Sequence, residues 1–162
     1  ILPILLKPGD KITIGGSALL AITSNLNINT KSNFITSIFV KENSFLSEIE
    51  NKSINAGMLW LTSYGGYHKV VLKNDEKIKL TSGLFLATND TSRYTISRLA
   101  KSFFSTTNFL GVNSEYMMEF TGPCIVYLES RNYQSLVVDI MNKIRPNFDN
   151  RYEFKKINTR GK

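Results

Sequence analysis

The chain repeats itself. "LKPGDKITIGGSALLAIT" begins at Leu6 and "LKNDEKIKLTSGLFLATN" begins at Leu72. Sixty-six positions apart, Leu6/Leu72, Lys7/Lys73, Lys11/Lys77, Ile12/Ile78, Leu20/Leu86 and Ala21/Ala87 are identical, while Asp10/Glu76 and Ile14/Leu80 are conservative pairs. Farther on, "SFLSEIENKSINAGMLWLTS" faces "NFLGVNSEYMMEFTGPCIVYLES", with Phe45-Leu46 answering Phe109-Leu110 and Leu61 answering Leu128. Chance likeness between β-rich segments is the competing explanation, and the common order of three matched blocks argues against it. Such a repeat restricts the fold to two copies of one small unit, sharing a core. The length of 162 residues suits that arrangement in a single domain.

Each half reads as short strands. "KITI" and "KIKL" alternate with period two, placing Ile12 with Ile14 and Ile78 with Leu80 on one face. "ALLAI" and "LFLA" are continuous apolar runs preceded by glycine, the pattern of strands buried on both sides. "AGMLWLTS" and "PCIVYLES" form the third matched pair, and "YHKVVLK" reads as a further strand after the turn "YGG". In "TISRLAKSFF", Ile96, Leu99, Ala100 and Phe103 sit at helical spacing, so this stretch reads as a short helix or a loop insertion. Leu136, Val137, Ile140, Met141 and Ile144 suit an amphipathic helix, although "SLVVDI" alone also fits a closing strand. The expected fold is all-β: two pseudo-repeated antiparallel halves, about 4–66 and 70–140, in one sandwich or barrel domain over 1–142, with a basic C-terminal tail over 143–162 that is extended or poorly ordered.

The single cysteine poses the sharpest chemical question, since "FTGPCIVYLES" places Cys124 directly after Gly-Pro. A reactive thiol needs a lowered pKa, from a helix N-terminus or a neighbouring cation. Cys124 is followed by a strand pattern, and the only histidine, His68, has no local partner in sequence. The flanking "EYMMEF" and "CIVYLES" both alternate, with Tyr116, Met118 and Phe120 on one face, so Thr121-Gly122-Pro123 reads as a hairpin or tight bend and Cys124 as a small core residue. One His and one Cys supply neither an unaided zinc site nor an intramolecular disulfide, and no cofactor is expected. Asp10, Asp75 and Glu76 fall at turns, where acidic residues need no ligand. Glu48 with Glu50, and Glu115 with Glu119, are the carboxylate pairs available for acid–base work, and solvent-facing strand positions explain them more simply. No phosphate loop or nucleophile elbow occurs. These absences point to a protein that is not an enzyme and takes no small-molecule substrate.

The formal net charge of +7 is unevenly spread. Lys143, Arg145, Arg151, Lys155, Lys156, Arg160 and Lys162 face only Asp149 and Glu153, which leaves about +5 in the last twenty residues and about +2 in the rest. Those seven bases are the candidate surface for an anionic membrane or a partner; a solubilising or oligomer-bridging tail is the plainer reading. Single-stranded RNA binding is the alternative function, because Trp60, Tyr64, Tyr67, Phe103 and Phe104 accompany the basic excess. Against it, Trp60 and Phe85 lie in apolar strands expected to be core, and Lys69, Lys73, Lys77 and Lys79 also fit as charges guarding sheet edges. No apolar run approaches the roughly 18 residues of a membrane span. The chain starts with Ile1 rather than Met, as a processed or trimmed product would.

In order, "LKPGDKI…GSALLA", "LKNDEKIKLTSGLFLATND", "KSFFSTTNFL" and "MMEFTGPCIVYLES" resemble the altered-inheritance-of-mitochondria 24 family over roughly residues 4 to 140. Cys124 replaces the last glycine of the family's "GPG", a position that does not suit a family-wide nucleophile. Glycine-dense loops are thinned to Ser, Thr and Asn, and the basic tail stands where a further C-terminal segment is usual. The resemblance implies a fold similar to the tryptophan RNA-binding attenuator protein, with two pseudo-symmetric β-halves often assembled into higher oligomers. It implies no known enzymatic activity. For the mitochondrial branch it implies a role in inner-membrane organisation, beside the contact-site and cristae-organising machinery; the alternative location is cytoplasmic, as in bacteria. The resulting expectation is a scaffold that homo-oligomerises or joins a membrane-associated complex through strand edges and its tail, with a ring-type RNA binder as the alternative.

Overall fold

A computed structural model describes residues 1–15, 18–30, 46–89, 93–98 and 116–132, together with residues 136, 137, 140, 141, 143 and 144. The first half contributes six strands: β1 (Leu2–Leu6), β2 (Lys11–Gly15), β3 (Leu19–Ile22), β4 (Asn27–Thr30), β5 (Leu46–Glu50) and β6 (Gly57–Leu61). The second half contributes β7 (Tyr67–Leu72), β8 (Lys77–Thr81), β9 (Phe85–Asn89), β10 (Arg93–Arg98), β11 (Tyr116–Thr121) and β12 (Cys124–Glu129). Their order is β1-β6-β3 in one sheet, β10-β11-β8 in a second, and β4-β5-β2-β9-β12-β7 in a third. The sheets are antiparallel, and the architecture is an all-β sandwich, with no closed barrel among the described residues.

The repeat governs this topology. Shifting each strand by six in chain order turns β1-β6-β3 into β7-β12-β9 and β4-β5-β2 into β10-β11-β8. Each half is thus a sandwich of two three-stranded sheets. The halves meet edge to edge where β2 pairs with β9, which fuses a sheet from each into the six-stranded one. One core gathers Leu2, Leu6, Ile12, Ile14, Ile49, Leu59 and Leu61 from the first half. The other gathers Leu72, Leu80, Phe85, Met118, Phe120, Cys124 and Val126 from the second. Val126 faces the second core while its neighbour Tyr127 packs against the first, so the cores lie on opposite faces of the shared sheet. Leu86 and Ala87 also cross into the first core, and Leu46 of the first half enters the second.

Local chemistry repeats with the strands. Lys7 N–H donates to Asp10 Oδ2 at 2.9 Å and Lys73 N–H donates to Glu76 Oε2 at 2.7 Å, closing the same turn twice. That turn requires a left-handed residue, supplied by Gly9 (φ +85°) and by Asp75 (φ +60°), a residue type that tolerates this region. Leu20 and Leu86 are both bulged out of register: Leu19 and Ala21 oppose Leu61 and Trp60, as Phe85 and Ala87 oppose Leu128 and Tyr127. The correspondence of Leu61 with Leu128 therefore holds at the level of backbone pairing.

Several sequence expectations change. "ALLAI" is not buried on both sides, because β3 is a sheet edge and Leu20 is 54% exposed. The stretch read as a short helix or a loop insertion is strand through Arg98: Tyr94 and Ile96 turn inward against the second core, and β10 pairs with β11. Its continuation, with Leu99, Ala100 and Phe103, lies outside the described residues. Thr121-Gly122-Pro123 does not close a hairpin, since β11 pairs with β10 and β8 whereas β12 pairs with β7 and β9. It is the tight bend that carries the chain from one sheet to the other, through a cis Gly122–Pro123 peptide. Trp60 is half-buried on the face away from Leu59 and Leu61, not core. The described residues at 136, 137, 140, 141, 143 and 144 are helical, not a closing strand.

Candidate functional site

Cys124 sits in β12 opposite Leu72 and is 4% exposed; burial pushes its thiol up from the ordinary value. Its Sγ faces Thr121 O at 3.9 Å. His68 lies opposite Leu128, four pairs along the same ladder, so its strand position does not bring it to the thiol. The carboxylates are similarly engaged. Burial alone would raise the Glu50 carboxyl, yet hydrogen bonds from Lys52 (3.2 Å) and Lys11 (3.3 Å) outweigh it and hold the group below its usual range. Lys79 (3.0 Å) and Lys77 (3.3 Å) do the same for Glu119. Glu115 lies outside the described residues. Among the described residues no group of three or more His, Cys, Asp or Glu could hold a metal ion.

An open cleft of about 420 Å³ lies over the β2–β9 joint, lined by Leu5, Asp10, Lys11, Asn89, Ile125 and Tyr127. Three of its polar groups have structural partners. Asp10 closes the first turn, Lys11 pairs with Glu50, and Asn89 Oδ1 accepts Ile125 N–H at 2.9 Å. Asn89 has a counterpart in Thr23, whose Oγ1 accepts Met58 N–H at 3.0 Å in the other repeat. The cleft is a consequence of how the halves meet.

The described surface offers two kinds of docking feature. One is the set of sheet edges. Lys69 lies on β7, the edge of the six-stranded sheet, and Lys77 and Lys79 lie on β8, another edge, where lysines discourage indiscriminate pairing. On β7, Tyr67, Lys69 and Val71 alternate to one exposed face. The other feature is helical: Val137, Ile140, Met141 and Ile144 recur at helical spacing and all are exposed, with exposed Lys143 beside them. Of the seven basic residues singled out in the C-terminal segment, Lys143 is thus placed on an exposed helix. Arg145, Arg151, Lys155, Lys156, Arg160 and Lys162 lie outside the described residues, as do Phe103 and Phe104. Sequence reading left helix and closing strand both open here and gave no sign of the exposure of these apolar residues, which no periodicity signals. No helix among the described residues is long and apolar enough to cross a membrane.

Comparison with known proteins agrees with this architecture. A crystal structure of a Streptococcus pyogenes protein superposes with a TM-score of 0.62 at 16% identity, covering 90% of this chain and 60% of that one, a likeness of fold. No curated protein matches in sequence. The sequence profile described as Mitochondrial biogenesis AIM24 matches residues 1–131, twelve strands and both repeats, and the chain belongs to that family.

Proposed function

We propose that this chain is a non-enzymatic assembly component in mitochondria, docked at an inner-membrane complex through its strand edges and its basic C-terminal segment. The observation that carries the reading is the exposed apolar stripe of Val137, Ile140, Met141 and Ile144, set at the start of a segment with about +5 net charge. Apolar side chains beside clustered Lys and Arg suit an interfacial contact with an anionic membrane, where each base adds roughly 1 kcal/mol. The family's link to mitochondrial biogenesis supports the compartment. Cosedimentation of the full chain with vesicles tests the membrane contact. Vesicles of neutral lipid should leave it in solution, those containing anionic phospholipid should pellet it, and high salt or Ile140→Asp should release it. Failure to pellet with anionic vesicles counts against the membrane contact.

A second reading, single-stranded RNA binding, has one specific observation behind it: Tyr67 and Lys69 share the exposed face of β7, an aromatic and a cation on one edge. Retention of a single-stranded RNA by the wild type, abolished by Tyr67→Ala with fold intact, would favour it over the membrane contact.

A further inference from the structure

The joint between the repeats shows how one copy of the unit binds the next, and among the described residues the same pair of strand edges is left unpaired. At the joint, Ile12 opposes Asn89, Thr13 opposes Thr88 and Ile14 opposes Ala87. The repeat counterpart of β2 is β8, and the counterpart of β9 is β3. Among the described residues β8 pairs only with β11 and β3 only with β6.

Identical side chains report the difference. Leu86 and Ala87 on β9 are 0% exposed, whereas Leu20 is 54% exposed and Ala21 is exposed. On the facing side, Ile12 of β2 is 2% exposed while its counterpart Ile78 of β8 is only half-buried; Ile14 and its counterpart Leu80 are buried in both. The β3 edge has the shape needed to receive such a partner, because it carries the same bulge as β9 and the same side-chain contact to the neighbouring strand.

We infer that β8 of one copy of this chain pairs with β3 of a second copy, head to tail, in the register of the internal joint: Ile78 opposite Thr23, Lys79 opposite Ile22 and Leu80 opposite Ala21. The occupant is a second copy because the internal joint is an interface between two such units, and each chain offers both halves of it. A contact of this heterologous kind continues from copy to copy until it closes into a ring or runs on as a filament. Lys79 tempers it. Thr13, its counterpart in the internal joint, is 4% exposed, whereas Lys79 puts an ammonium at the edge and satisfies it with Glu119 at 3.0 Å. This inference stands on strand pairing and is independent of the membrane contact proposed above, so either can fail alone.

Sedimentation of the full chain over a range of concentrations tests it. The wild type should rise from 18.3 kDa to multiples of that mass. Ala21→Arg should lower the association at least tenfold while leaving the thermal midpoint of the dissociated chain unchanged, since Ala21 is exposed there. Lys79→Thr should tighten the association severalfold. A mass of 18.3 kDa at every concentration for both the wild type and Lys79→Thr would overturn the inference. So would an assembly that Ala21→Arg leaves intact.

Discussion

Strands β3 and β9 share two identical residues, a bulge at the same position and the same neighbour-strand contact, yet one is a half-exposed edge and the other lies at the centre of a six-stranded sheet. Leu20 and Leu86 differ in exposure by 54% against 0% although sequence, backbone and one flanking strand agree. Burial here is decided by whether a second strand arrives. That strand is β2 for β9, and within the chain β3 has no equivalent among the described residues.

The comparison breaks most visibly under matched substitutions. Leu86→Ala should cost about 2–5 kcal/mol, the range for emptying an enclosed core site. Leu20→Ala in the dissociated chain should stay within about 0.5 kcal/mol, as surface changes do. Chemical denaturation at low protein concentration measures both, and equal costs would mean that β3 is covered in the single chain.

A smaller effect sharpens the comparison at another pair of equivalent positions. Asn51 is fully buried, and its Nδ2 donates to Leu6 O and Asn55 O, both at 2.9 Å. Gly122 occupies the corresponding place beside the second turn, donating its N–H to Glu76 O at 2.9 Å as Asn51 N–H donates to Asp10 O at 3.0 Å. A Cβ at Gly122 would collide with the Lys73 carbonyl oxygen. Asn51→Ala should cost about 1–3 kcal/mol by removing the buried donor to Leu6 O, while Asn55 O keeps Ser53 Oγ at 2.7 Å. Gly122→Ala should cost about the same from overpacking against backbone. Thermal melts of the two variants check both values.

The pH response is the smallest effect expected. Glu50 and Glu119 sit below the usual 4.5 through their lysine partners, so the stability they lend is present above that value and fades as pH falls through their folded values. Both carboxylates are half-buried but their lysines face solvent, and added salt should shrink their contribution. Glu129 behaves oppositely. Burial raises its carboxyl, against the hydrogen bond from Tyr64 N–H, so its contribution is complete below 4.5 and is lost as pH rises through the folded value. Glu129→Gln should therefore be more stable than the wild type at neutral pH, with the difference closing in acid. Denaturation across the pH range checks the sign.

The repeat was readable from sequence because the turns demanded it: Lys7 to Asp10 and Lys73 to Glu76 hold the same hydrogen bonds with the same spacing. Ile12, Ile14 and Leu80 were legible as core by alternation alone. β1 escaped notice because Pro3 interrupts its apolar run, and the strand tolerates a residue without an N–H by lying at an edge. β4 escaped because "NINT" has too few apolar residues to alternate. The helical spacing around Ile96 misled because Thr95 and Ser97 also satisfy a strand with Tyr94 and Ile96 inward. The open edge of β3 could not be read, since Leu20 and Leu86 are the same letter, whereas Lys77 and Lys79 marked the edge at β8. At the candidate docking features, the cluster of basic residues was visible, while the exposed apolar stripe beside Lys143 depends on what the rest of the fold leaves uncovered.

Amide hydrogen exchange of the full chain at low and high protein concentration tests the equivalence of the two strands most directly. The head-to-tail pairing predicts that residues 19–22 and 77–81 gain protection together as concentration rises, while residues 85–89, already held between two strands, do not change. Exchange at 19–22 and 77–81 that stays fast and independent of concentration would contradict it.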